Sequence, residues 1–85
     1  MRGRLVGRVA ALNRARSRIA VELDTGGYSV ADLDGADDVE RGDTLEGDLR
    51  THGSTVWHSQ RTGRPLRVFV EAFDADAENV RQLLR

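Results

Sequence analysis

Arg18-Ile19-Ala20-Val21-Glu22-Leu23-Asp24-Thr25-Gly26-Gly27-Tyr28-Ser29-Val30-Ala31-Asp32-Leu33 is the stretch from which the fold is read. Ile19, Val21 and Leu23 fall on one side of an extended chain, and Arg18, Ala20, Glu22 and Asp24 on the other. That two-residue alternation belongs to a half-buried strand. Thr25-Gly26-Gly27 follows, where glycine supplies the positive φ of a tight hairpin turn. The run from Tyr28 to Leu33 then returns as the second arm.

Upstream of this hairpin, 3–12 is another extended run, in which Leu5, Gly7, Val9 and Ala11 alternate with Val6, Arg8, Ala10 and Leu12. The pattern is mixed, and Gly7 is read as a bend or bulge. Asn13-Arg14-Ala15-Arg16-Ser17 is a polar turn into the hairpin, so three strands form a meander. Downstream, 34–43 is an acidic connection with Val39 as its one core anchor, and Leu45 and Leu49 mark a fourth strand over 44–50. Residues 51–65 carry turn signals at both ends and admit either an extended or a helical piece around 56–59. Leu66, Val68 and Val70, alternating with Arg67, Phe69 and Glu71, give the fifth strand. Asp74 or Asp76 then caps a short helix whose apolar stripe is Ala77, Val80, Leu83 and Leu84. So short a helix is marginal alone and is expected to pack on the strands or on a partner. Five strands and one helix predict an all-β barrel, because closure removes edges that would otherwise pair between molecules. An SH3-like barrel is the main alternative.

A chain of 85 residues makes one domain, expected to comprise a barrel over 1–73 and a helix over 74–85. So short a chain buries only about 60–65% of the surface its unfolded form exposes, which leaves little room for an enclosed active site. The absence of cysteine removes disulfides and thiolate chemistry. No run reaches the apolar length of a signal peptide or membrane span, and a reducing cytoplasm is the expected setting. The net charge of −1 hides an uneven layout. Six arginines precede the first acid, Glu22, whereas ten acids face the single Arg41 between Glu22 and Asp48. Every basic residue is arginine, which coding bias explains more simply than recognition chemistry.

The order Gly7-x-Val9-x-x-x-Asn13, Ile19-x-Val21, Gly42-Asp43-x-Leu45 and Gly63-x-Pro65 before Val68 and Val70 resembles the cold-shock branch of the OB-folds. The Gly-Asp entry to a strand is also similar to S1-like domains. The resemblance covers about seventy residues and implies a five-stranded OB-type barrel. It departs from the cold-shock pattern where aromatic stacking residues would stand, since three of those places hold Ala11, Arg18 and Ala20. Base–aromatic stacking is worth about 1–3 kcal/mol per base, so the likeness in fold does not carry the activity with it.

In such a barrel, strands 2 and 3 and two flanking loops form the ligand face. Arg14, Arg16 and Arg18 lie in or beside the first loop, and Arg61 and Arg64 in the second. Tyr28, Trp57 and His58 are the candidate stacking surfaces. Together these eight residues make a clamp for weak, salt-sensitive binding of single-stranded nucleic acid, without enzymatic activity. A lid on the barrel is the simpler role for Trp57, and a rim neutralised by the acidic middle is the simpler role for the arginines. The second functional reading is a protein-interaction or regulatory module using the acidic 32–48 surface or the Val80, Leu83 and Leu84 stripe. His52, Ser54 and His58 lack the turn and oxyanion donors of a nucleophile site. Asp48, His52 and His58 lack a metal-ligand spacing, and the acidic run from Asp32 to Asp38 fails the calcium-loop register. No metal or other cofactor is expected, and the sequence sets no oligomeric state.

Overall fold

The computed structural model describes residues 4–34 and 38–85. Arg2, and Gly35 and Asp37 of the acidic run, lie outside the described residues. The elements are β1 (Leu5–Asn13), a 3₁₀ turn (Arg14–Arg16), β2 (Arg18–Leu23), β3 (Tyr28–Leu33), β4 (Thr44–Gly47), β5 (Gly53–Ser59), β6 (Pro65–Ala75) and α1 (Ala77–Leu83). The strands close into a barrel in the order β1-β2-β3-β6-β5-β4, with every neighbouring pair antiparallel. The all-β barrel with a C-terminal helix is therefore as expected, with six strands rather than five. The added strand is β5, from the segment that admitted either conformation. Thr55, Trp57 and Ser59 turn inward there, and Ser54, Val56 and His58 outward, which is strand rather than helix periodicity.

Inside the barrel, Val9, Ile19, Val21, Leu23, Ala31, Leu45, Trp57, Leu66, Val68 and Val70 form one core, joined by Val39 and Leu49 from the connections. The mixed pattern of β1 has a local cause. Its pairing with β2 shifts register between Val9 and Ala11, so Val9 faces the core while Ala11 faces outward and Leu12 returns inward. Gly7 is not the bulge. A Cβ there would lie 2.6 Å from Val21 Cγ1 and 2.9 Å from the Glu22 carbonyl oxygen, so the residue permits a close strand crossing. Gly7→Ala is expected to cost about 1–2 kcal/mol through overpacking. Chemical denaturation checks it, and an unchanged midpoint would show that the crossing is looser than described.

Alternation of strand direction puts the 13–17 turn, residues 38–43 and the 60–64 turn at one end of the barrel. The opposite end holds the 24–27 turn and the 48–52 connection. From there α1, capped by Asp76 accepting from the Asn79 amide at 2.9 Å, runs back along the outside of the barrel. Asp74, the other candidate cap, instead has φ +58° and pairs with Arg50. Val80, Leu83 and Leu84 pack on Ala11, Ala20, Tyr28, Val30 and Ala75, making a second apolar cluster outside the barrel wall. The helix therefore covers the outer face of β2 and β3.

Candidate functional site

The two arginine-bearing turns do share one end of the barrel, but the space between them is occupied. Residues 38–43 lie there, joined to β1 by Val9 N–H donating to the Asp43 carbonyl and Gly42 N–H donating to the Val9 carbonyl, each at 2.8 Å. Arg61 Nε donates to Asp43 at 2.7 Å, and Arg61 Nη2 to Asp38 at 3.0 Å. The hydrogen bond from Arg61 holds the Asp43 carboxyl below its ordinary range despite the opposing effect of burial, and the same contacts raise the Arg61 pKa. Arg14 Nη2 donates to the Val39 carbonyl at 3.3 Å. Arg61 is thus a clasp for the acidic connection, which places its carboxylates where a phosphate would have to approach.

Arg18 is also engaged. It grips Asp32 through Nε at 2.6 Å and Nη2 at 3.2 Å, and its Nη1 donates to the Leu83 carbonyl at 2.8 Å. Asn13 Nδ2 donates to the Leu84 carbonyl at 2.6 Å, and Arg16 Nη1 to the Arg85 carbonyl. Three side chains from the first turn thereby hold the end of the helix. The Arg18 hydrogen bond keeps the Asp32 carboxyl below its usual range, whereas a hydrogen bond shared with Asp32, together with burial, raises Glu71. Arg64 stands exposed on the β5–β6 turn.

The stacking candidates need correction. Trp57 is fully buried, its indole N–H donating to the Asp48 carbonyl at 3.1 Å, so no ring face is open to a base. Tyr28 is half-buried and packed in the cluster beneath α1. His58 is exposed, but on the outer wall, where its Nδ1 meets Arg4 Nη2 at 3.0 Å. The C-terminal stripe offered to a partner is likewise spent within the chain. The small side chains of Ala11 and Ala20 seat the helix.

Sequence reasoning passed over a different surface. Phe69 is 48% exposed and Val56 44%, the large apolar side chains left open among the described residues. They lie on the outer faces of β6 and β5, where Phe69 pairs with Ser54 and Val56 with Arg67. With Asp32, Asp34 and Ser54 they line an open hollow of about 470 Å³. The signal was in the sequence, because an inward Leu66, Val68 and Val70 obliges Phe69 to face out.

Among the described residues, no cluster of three metal-ligating side chains occurs, and no helix is long and apolar enough to cross a membrane. Comparison of the chain with protein-family models, curated proteins and solved structures gives no match, so the functional reading rests on this geometry.

Proposed function

We propose that the chain is a non-enzymatic, cytoplasmic protein-interaction module whose contact surface is the outer face of β5 and β6. The observation that carries this is the exposed Phe69–Val56 pair at the centre of a face rimmed by Arg67, Asp34 and Ser54. An aromatic anchor within a polar rim is the composition of a protein contact, where a few central side chains supply most of the affinity. The acidic 32–48 segment and the helix stripe are less available, because Arg18 and Arg61 pair with Asp32, Asp38 and Asp43 and the stripe packs on the barrel wall. A photo-crosslinking phenylalanine analogue at position 69, in the full chain in its own cells, is expected to yield a covalent protein adduct that the same analogue at exposed position 8 does not. Absence of an adduct specific to position 69 would overturn the reading.

The convergence of Arg14, Arg16 and Arg64 on one barrel end supports a second reading, single-stranded nucleic-acid binding by a cold-shock-like or S1-like barrel. The clasped carboxylates beside them argue against it, since a phosphate needs a net positive field. Fluorescence anisotropy with labelled oligonucleotides at low salt is expected to show no binding. Salt-sensitive affinity lost on replacing Arg14, Arg16 and Arg64 by alanine would reverse the ranking.

A further inference from the structure

The outward row of β6 reads Arg67, Phe69, Glu71, a cation and an anion placed symmetrically about an aromatic ring. With a rise of about 3.3 Å per residue, the two charges sit roughly 13 Å apart along the strand, with Phe69 midway. A surface that contacts its own copy across a twofold axis must be self-complementary, so that residue i meets j while j meets i. This row has that property in one orientation only. If the axis crosses β6 at Phe69 perpendicular to the strand, the two copies of β6 run antiparallel, and Arg67 of each lies over Glu71 of the other. If the axis runs along the strand, like charges meet, and that arrangement is disfavoured.

Glu71 shares a hydrogen bond with Asp32 and stands 3.8 Å from Arg18, so two acids meet one cation there and the cluster keeps a surplus negative charge. Arg67 is 79% exposed and only reaches Asp34 at 4.0 Å. By contrast, Arg61 and Arg50 hold their partners at 2.7 and 2.6 Å. Val56 lies beside Arg67 across the β5–β6 pairing, widening the apolar centre that a second copy would cover.

We propose that two copies of this chain associate through the outer faces of β6 and β5, antiparallel about Phe69, with two reciprocal Arg67–Glu71 pairs. This rests on the reading of that face as the contact surface and names its occupant. Sedimentation equilibrium of the full chain over a concentration series, with circular dichroism as the control for folding, tests it. Wild type is expected to associate reversibly, and Arg67→Glu or Glu71→Arg alone to weaken association by at least about tenfold through like-charge repulsion. The double variant Arg67→Glu/Glu71→Arg restores it. An equimolar mixture of the two single variants also associates, because each cation then meets an anion on the other copy. The mixture keeps the test independent of any effect one substitution has on its own fold. A wild-type chain that stays monomeric up to about 1 mM, or association indifferent to the charge reversals, would overturn the proposal. A monomeric chain that still forms an adduct from position 69 with a different protein defeats self-association alone, whereas a monomer without an adduct defeats both readings.

Discussion

Trp57→Ala is expected to remove a large part of the domain's stability. The ring is fully buried among the core side chains, and its indole N–H is satisfied by the Asp48 carbonyl. Truncating such a residue costs about 3–5 kcal/mol, because the cavity left behind collapses only in part. A chain this short holds about 4–13 kcal/mol in all, on the usual per-residue scale. The seat is also built around the indole. Gly47, at φ +143°, would with a Cβ place that atom 3.2 Å from Trp57 Cδ1, so strand β4 comes close because it carries no side chain there. Trp57→Phe keeps most of the apolar volume, loses the hydrogen bond and leaves the Asp48 carbonyl unpaired, for a smaller loss of about 1–3 kcal/mol. Urea unfolding followed by far-ultraviolet circular dichroism measures both. A Trp57→Ala chain within 1 kcal/mol of wild type would place the ring at the surface, where it could again serve as a stacking platform.

Features that depend on near neighbours were legible in the sequence. Ile19, Val21 and Leu23 declare β2, Gly26 and Gly27 the hairpin turn, and Leu66, Val68 and Val70 the wall of β6, since each pattern arises from the two-residue pleat. The stripe of α1 was equally plain. The sixth strand was not, because Ser54 and His58 on its outer side and Ser59 on its inner side blur the alternation around Thr55 and Trp57. The candidate site failed for another reason. An arginine reads the same whether its guanidinium faces water or grips a carboxylate, and although Arg18 meets Asp32 across the β2–β3 hairpin, Arg61 meets Asp43 and Arg50 meets Asp74 only when later segments come together. Ala11 and Ala20 were legible as departures from a stacking platform. What lies on them instead depended on the direction in which α1 leaves β6, which local sequence does not fix.

Arg18→Ala should release that helix and weaken the pH response of Asp32 beneath it. The substitution removes a bidentate contact to Asp32 and the donor to the Leu83 carbonyl, and it leaves Asp32 and Glu71 hydrogen-bonded with no cation between them. Arg18 is 17% exposed in its side chain and Asp32 32%, so the loss at neutral pH is placed at about 2–3 kcal/mol, below that of a fully buried pair. In the wild type the two carboxyls oppose one another. Asp32, held low, contributes stability present above its unfolded value and lost as pH falls through its depressed folded value. Glu71, held high, contributes stability present below its unfolded value and lost as pH rises through its raised folded value. Without Arg18 the largest cause of the Asp32 depression is gone, leaving the hydrogen bond with Glu71 and the charge of Arg16 against burial, so Asp32 is held down less firmly. The deficit of the variant is therefore largest above the carboxylate range and shrinks as pH falls through it. Urea unfolding at about pH 7 and pH 4 reads the difference, and an equal deficit at both would show that the carboxyls do not feel the guanidinium. Hydrogen exchange adds the structural half. The amides of Val80 and Leu84, bonded to the Asp76 and Val80 carbonyls at 3.0 Å each, should speed up in the variant by a larger factor than those of the β5–β6 ladder. Helix amides that stay as protected as the barrel would mean that α1 is held by its apolar stripe alone, and that Arg18 serves only to neutralise the two acids.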